Sequence, residues 1–221
     1  MAGYDGAGSL FALGLRITKL NPDGSPMVGP DNCYTTNALV RISIGNTYSE
    51  PDAIELRNGQ QITCVYYAPP ATLLGGTIDE LVVCTPDPYI REFLTGGEVI
   101  TDGSGNATGY RAPQVNVDPT PNGVAIEAWT NAVRDNAFDP NTPYWHWVLP
   151  RARLRPSEAL VASGEDPMTP TFSGTLESNP NFGDGPVGDI TFPTDRIYQY
   201  NRVATIPDLS QGLVEVLPDE S

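Results

Sequence analysis

The sequence predicts an all-β protein with one short helix, arranged as a β-sandwich or a barrel. Glycine and proline number 22 each among 221 residues, a content typical of many short strands joined by turns. Apolar and polar residues alternate in several short segments, whereas only one segment has helical spacing. These observations favour one large β domain that is long enough to bury a core.

The first segments justify this reading. Residues 11–17 place large apolar side chains at every second position, which predicts a half-buried strand. A turn follows, because Pro22 fixes one φ angle and Gly24 supplies a positive one. A second strand is predicted for residues 38–44. The polar stretch over residues 45–61 is predicted to be a long loop, and a long polar connection between two strands is usually functional or disordered.

The single helix is predicted over residues 86–95. Pro86 stands near its start, and Ile90 and Phe93 share one face with Leu94, before glycines end the helix. The remaining alternating segments predict further strands over residues 62–68, 77–84, 114–117, 124–133, 144–149, 171–177 and 197–203.

Three regions are predicted along the chain: an N-terminal arm over residues 1–9, the β domain over 10–206, and an acidic C-terminal tail over 207–221. The start of the chain lacks the basic and apolar regions of a secretion signal. No apolar run approaches the ~20 residues of a membrane-spanning helix.

The three cysteines indicate a reducing compartment. Cys33, Cys64 and Cys84 are an odd number and lie far apart in the sequence, so they do not form a disulfide framework. Apolar neighbours predict that they are buried thiols in strands.

The chain is strongly acidic. It has 27 acidic and 12 basic residues and a formal net charge of −15. Holding nucleic acid requires clustered lysine and arginine, so the charge disfavours a nucleic-acid-binding protein. The acidity can serve solubility alone, or it can serve a surface that repels DNA.

Residues for catalysis are not evident. His146 is the only histidine and is expected to be a packed or surface residue, because nucleophilic catalysis needs a neighbouring nucleophile and carboxylate. The pairs Glu50/Asp52 and Glu165/Asp166 lie in turn-like segments and are interpreted as solvated charge rather than glycosidase carboxylates. No catalytic residue, cofactor or metal ligand is predicted, and the protein is not expected to be an enzyme.

The segment after the aromatic strand carries three arginines. Arg151, Arg153 and Arg155 share one face of an extended strand, with roughly 6.6 Å between successive side chains. They can contact phosphates or pair with carboxylates, and the net charge favours carboxylates of a neighbouring strand or subunit. Pro150 and Pro156 bracket the run, which is typical of an edge strand.

Three segments resemble the major tail proteins, or tail tube proteins, of siphophages that infect actinobacteria. They are residues 84–97, 144–156 and 172–186, which read CTPDPYIREFLTGG, YWHWVLPRARLRP and FSGTLESNPNFGDGP. Together with residues 17–20 and the turn after them, the similarity covers most of the chain.

This resemblance implies a β-sandwich flanked by a helix, with six copies closing into a ring around an inner β-barrel. Stacked rings would form a tube, and residues 45–61 would reach the adjacent ring. Tyr48, Glu50, Asp52, Ile54 and Arg57 in this segment are the implied inter-subunit contacts. Arg151, Arg153 and Arg155 are further candidates because of their charge and spacing.

The resemblance also implies partners and a location. The partners are further copies of the chain, a tape measure protein in the lumen, and tail terminator, baseplate or tail-tip proteins at the ends. The protein would be made in the host bacterial cytoplasm and reside in the virion. Phage DNA would pass through a negatively charged channel without specific binding.

Two other classes stay open. One is a different phage structural β-protein, such as a capsid decoration protein or a head–tail connector. The other is a carbohydrate-binding β-sandwich in which Tyr144, Trp145 and Trp147 form a sugar platform. Alternation along the strand favours the tryptophans as core residues instead.

Overall fold

The computed structural model of the chain describes residues 7–135, 137–157, 168–186, 190 and 192–216. Over these residues it forms fourteen strands and one short helix, which confirms the predicted fold class. The elements are β1 (Gly8–Lys19), β2 (Gly29–Thr36), β3 (Leu39–Ser49), β4 (Ile54–Arg57), β5 (Thr63–Tyr67), β6 (Thr72–Val83), α1 (Pro88–Thr95), β7 (Glu98–Thr101), β8 (Ala107–Arg111), β9 (Val124–Arg134), β10 (Ala137–Phe138), β11 (Tyr144–Pro156), β12 (Thr171–Leu176), β13 (Gln199–Val203) and β14 (Gly212–Val216).

One large antiparallel sheet contains ten of these strands. Its order is β14-β2-β1-β9-β11-β12-β6-β3, with β10 paired to β9 and β13 paired to β11. Two further pairs, β4–β5 and β7–β8, form separate hairpins. Every ladder is antiparallel, as expected of a chain whose strands follow one another through short turns.

Strand β11 joins the two halves of this sheet. Its first part pairs with β9 and β13, and its last residues pair with β12. The register with β9 shifts between Leu149 and Ala152, around Pro150, which has no backbone N–H to donate. Pro150 therefore marks an irregularity inside the sheet rather than an edge. Beyond Ala152 the strand pairs with β12 alone within the described residues, so the predicted edge position is correct for Arg153 and Arg155.

The two halves of the sheet share one core. Leu15 of β1 and Ile126 of β9 belong to the same buried cluster as Leu81 of β6 and Phe172 of β12. All four side chains are fully buried. Facing sheet layers around a common apolar core are the arrangement of a β-sandwich.

Helix α1 covers one end of this core, as the sequence predicts. Asp87 caps its N-terminus by accepting a hydrogen bond from Tyr89 N at 2.8 Å, and Gly96 ends it with a φ of 70°. Ile90 and Phe93 are buried on its inner face. Within the described residues no helix has the length and apolar character needed to cross a membrane.

Strand β1 is confirmed, but the prediction that it is half-buried is wrong. Arg16 and Thr18 on its second face are as buried as Leu15 and Ile17 on its first. The segment 204–211 lies over this second face, where it lines a cavity with Arg16. The alternating pattern indicates which face of β1 meets the apolar core, but it does not show that the opposite face is covered too.

The predicted limits of the arm and the tail need correction. Ala7 is buried and Ser9 already belongs to β1, so the domain begins before residue 10. Residues 212–216 form β14, which pairs with β2 at the end of the sheet and does not belong to a free tail. The rest of both predicted segments, residues 1–6 and 217–221, lies outside the described part of the chain.

The strand predicted over residues 114–117 is also absent. This stretch is a turn in which Asn116 has a φ of 66°, outside the β region of backbone conformation. Val115 and Val117, which suggested a strand, are both exposed on either side of it.

We predict that Gly174→Ala destabilises the fold. A Cβ atom at Gly174 would overlap the carbonyl oxygen of Arg153, because β11 and β12 approach closely there. Relieving this overlap requires a backbone shift, which should lower the free energy of unfolding by about 1–3 kcal/mol. Urea denaturation measures the change. Gly103→Ala is the matched control, because a Cβ at Gly103 meets no atom within 4 Å. Equal stability of the two variants would contradict the close approach.

Candidate functional site

The segment predicted as a long loop is a β-structured arm, so the prediction of a loop over residues 45–61 is wrong. Strand β3 continues to Ser49 and pairs there with Thr72 at the start of β6. Beyond this pair, strands β4 and β5 form a hairpin. We call residues 50–71 the hairpin arm. Its sequence signal is the alternation of Ile54 and Leu56 with charged residues, which the surrounding polar residues obscured.

Local hydrogen bonds close the tip of the arm. The Asn58 side-chain oxygen accepts hydrogen bonds from Gln60 N at 2.9 Å and from Ile62 N at 3.0 Å. The backbone of Asn58 also donates to Ile62 O at 2.9 Å. Gln61 takes a positive φ of 62° to complete the turn. The hairpin thus has its own defined register without help from the rest of the chain.

One face of the hairpin arm is apolar. Ile54 lies opposite Tyr67, and Leu56 lies opposite Val65. Opposed side chains of an antiparallel pair point to the same face, so these four form one continuous patch. All four are exposed.

The other face is polar and internally bonded. The Glu55 carboxylate accepts hydrogen bonds from Arg57 at 3.0 Å and from the Thr63 hydroxyl at 2.5 Å. These bonds lower the pKa of Glu55, the Arg57 bond most strongly. The two faces of the hairpin therefore differ sharply in chemistry.

The hairpin arm is open to solvent over almost its whole length. Every residue from 50 to 68 is exposed, and Tyr66 is 67% accessible. A two-stranded hairpin is only marginally stable in water, and an exposed apolar patch of this kind usually marks an interaction surface. In the part of the chain that the structure describes, the apolar face of the arm is therefore left uncovered.

The predicted contact residues fall into two groups. Tyr48 at the end of β3 stands at the base of the hairpin arm. Glu50, Asp52, Ile54 and Arg57 lie within it. Arg151, Arg153 and Arg155 lie on β11 in the body of the domain.

The three arginines do not share one environment. Arg151 donates to Asn122 O at 3.0 Å and approaches the Glu177 carboxylate at 3.6 Å, and Arg153 approaches the same carboxylate at 3.4 Å. The predicted pairing with a neighbouring strand is confirmed for these two, because Glu177 directly follows β12. Arg155 has no such partner in the described part of the chain.

A buried charged cluster, which the sequence analysis did not predict, lies at the centre of the sheet. Arg16 of β1 donates to both carboxylate oxygens of Glu127 on β9, at 2.7 and 2.6 Å. The Nε2 atom of His146 on β11 lies 2.9 Å from the same carboxylate. His146 also stacks on Trp129 with 4.7 Å between the ring centroids. Charged residues inside otherwise apolar strands were the available signal.

The partners of Glu127 keep its buried carboxylate in the ionised form. Although burial raises the pKa of Glu127, the charge of Arg16 and the hydrogen bonds from His146 and Arg16 outweigh it and lower the pKa below its ordinary value. Burial likewise raises the pKa of the adjacent Cys33 thiol to about 11, so the thiol is protonated at neutral pH. Arg16 and His146 together bind both oxygens of the ionised Glu127 carboxylate.

The predicted buried state of the cysteines is correct only for Cys33. Cys64 and Cys84 are exposed, and Cys64 lies in the hairpin arm. The aromatic strand behaves as expected, because Trp145 is buried and Trp147 is half-buried against Tyr200. Two inward-facing tryptophans do not form a sugar platform.

Among the described residues there is no group of three or more His, Cys, Asp or Glu side chains placed to hold a metal ion. Comparison with known proteins finds no family model that matches the chain. It also finds no curated protein that matches. The functional proposal below is therefore based on the geometry of the hairpin arm and on the charge distribution.

We predict that Glu127→Gln is strongly destabilising at neutral pH. It leaves the buried Arg16 charge without a counter-ion, which should lower the free energy of unfolding by about 3–5 kcal/mol. A carboxyl whose pKa is lower in the folded than in the unfolded state stabilises the fold above pH 4.5, its ordinary value, and this stabilisation is lost as pH falls further. The difference between the two proteins should thus shrink below pH 4.5, as urea denaturation across pH will measure.

Glu98→Gln provides the control, because Glu98 forms an ion pair with Arg111 in which both partners are exposed. Exposed pairs contribute little to stability. If Glu127→Gln were no more damaging than Glu98→Gln, the buried pair would not hold the central strands together.

Proposed function

We propose that this chain is a structural protein of a bacteriophage tail, whose copies form hexameric rings that stack into the tail tube. The observation that carries the proposal is the hairpin arm, because residues 50–68 are exposed throughout and one face is apolar. An arm of this kind is explained by a partner that covers it. The resemblance of three segments to siphophage tail tube proteins makes that partner another copy of the chain.

The edges of the large sheet support assembly as well. Strands β3 and β14 lie at the two ends of its order. Each therefore has one edge without a strand partner in the described residues. Such edges pair readily with other chains, and closure into a ring removes them. Because β3 and β14 differ, a contact between them would be heterologous, which is the type that generates rings.

The distribution of charge suits a channel that DNA passes through. Within the described residues, ten of the 12 basic side chains lie in ion pairs with carboxylates of the same chain, so few cations are left to hold phosphates. The surplus of carboxylates gives each copy a negative field that repels the DNA backbone. A tube with an acidic lumen would let DNA slide without being bound.

We expect the purified protein to form tubes or six-fold rings at high concentration, because burial of the apolar arm grows with each added copy. Negative-stain electron microscopy and sedimentation velocity measure this directly. Three-fold assemblies would instead favour a capsid decoration protein. Dispersed monomers at every concentration and salt condition would refute assembly.

We predict that charging the apolar face of the hairpin arm abolishes assembly and leaves the domain folded. Leu56→Asp with Val65→Asp places two carboxylates in the centre of the exposed patch, where a covering surface would have to desolvate them. Electron microscopy measures tubes, and thermal unfolding measures the fold.

The matched control is Val115→Asp with Val117→Asp, which makes the same chemical change at two exposed valines outside the arm. The control should assemble normally. A second variant replaces residues 50–71 by Asn-Gly, which closes β3 and β6 into a tight hairpin at the Ser49–Thr72 pair. Normal tubes from either arm variant would disprove the role of the arm.

A further inference from the structure

Arg155 differs from the other basic residues of this acidic chain. In the described residues, ten of the 12 basic side chains are paired with carboxylates, and Arg91 lies over the ring of Tyr110. Among the residues that the structure describes, Arg155 alone has neither a carboxylate nor an aromatic partner. An unpaired arginine in a chain of net charge −15 indicates a position reserved for an external anion.

Arg155 lines a groove together with Arg153. The groove has a volume of about 710 Å³ and lies between β6, β11, β12 and residues 118–120. The two arginines stand two residues apart on one strand, so their side chains leave it roughly 6.6 Å apart on one side. Ser173 and Thr175, which lie opposite them in the register with β12, add hydroxyl groups to the same wall.

The carboxylates within the groove are already used. Asp79 accepts a hydrogen bond from Thr77 at 2.8 Å, and Asp118 accepts one from the backbone of Thr120 at 3.1 Å. No ion pair of the described residues joins either carboxylate to an arginine of the groove. The N–H donors of the Arg155 guanidinium therefore remain available to a carboxylate from another molecule.

The chain carries a matching pair of carboxylates at the base of the hairpin arm. Glu50 and Asp52 are both exposed, and neither takes part in an ion pair of the described residues. They also stand two residues apart, on either side of Pro51, which disfavours a helical turn at this point. In an extended segment their side chains have the same roughly 6.6 Å spacing as the arginines.

We propose that the groove of Arg153 and Arg155 binds the Glu50-Pro51-Asp52 segment of a second copy of this chain. One carboxylate pairs with the Arg155 guanidinium, and the other pairs with the Arg153 guanidinium, which keeps the contact of its Nε atom with Glu177 at 3.4 Å. The hydroxyl groups of the groove wall donate to the remaining carboxylate oxygens. Because donor and acceptor surfaces differ, the contact runs head to tail and extends from copy to copy. The inference rests on the proposed assembly, since it names the surface that receives the base of the arm.

A charge-swap experiment tests this contact. Arg153→Glu with Arg155→Glu, and separately Glu50→Arg with Asp52→Arg, should each raise the concentration needed for assembly by about tenfold or more, because each change sets like charges against each other. The combined fourfold variant should recover assembly, since the pairs are restored with reversed sign. Sedimentation velocity measures assembly, and thermal unfolding confirms that each variant is folded.

Arg196→Glu is the control, because Arg196 is exposed and lies outside the groove, and because its replacement also makes the chain more acidic, by half the charge of the double arginine swap. It should change assembly little. If the arginine swap impaired assembly and the fourfold variant failed to recover it, another segment would occupy the groove and the proposal would be overturned. Unchanged assembly of the arginine swap would also overturn it and leave the proposed tube intact, whereas a wild-type protein that never assembles would refute the tube itself.

Discussion

The ion pair between Arg16 and Glu127 is the interaction on which the centre of the sheet depends. It joins β1 to β9, and His146 extends it to β11, so three neighbouring strands share one carboxylate. Burying charge is costly, and such a pair adds little stability over an apolar one. The ion pair instead fixes the register in which the central strands pair. A slip of one residue would turn Glu127 towards the apolar core, where it would have no partner.

The molecule has two parts that differ in how far their side chains are buried. In the sandwich, the apolar side chains of both sheet halves meet, and the charged cluster on the opposite face is fully paired. In the hairpin arm, the backbone has a defined register but the side chains have no cover. The first part has a buried apolar core of its own. The second is ordered by its own turn and strand pairing, and its apolar face gains most from a neighbouring molecule.

The sequence predicted the features that leave a local signal, such as turns and helix ends. It did not predict the features that depend on contacts between distant parts of the chain. The helix ending at Gly96 and the turn at Gly24 were predictable, because capping and positive φ leave local signals. The buried second face of β1 was not, because a segment almost two hundred residues later covers it. The arm was mistaken for a loop because its outer face is as polar as a loop. The contact candidates in it, such as Ile54 and Arg57, came from a resemblance rather than from pattern.

The charge distribution determines which interactions could bring two copies of this chain together. Each copy carries a net charge of −15, and most of its cations are already bound to its own carboxylates. Copies therefore repel one another at distances up to the Debye length, about 8 Å at physiological ionic strength. Attraction has to come from contacts that act only at short range, namely burial of the apolar arm and pairing with the few cations left unpaired. In the proposed tube, a surface built this way would repel DNA and unrelated acidic partners and would accept a copy whose apolar patch and carboxylates fit, so the same acidity that opposes assembly would also make it selective.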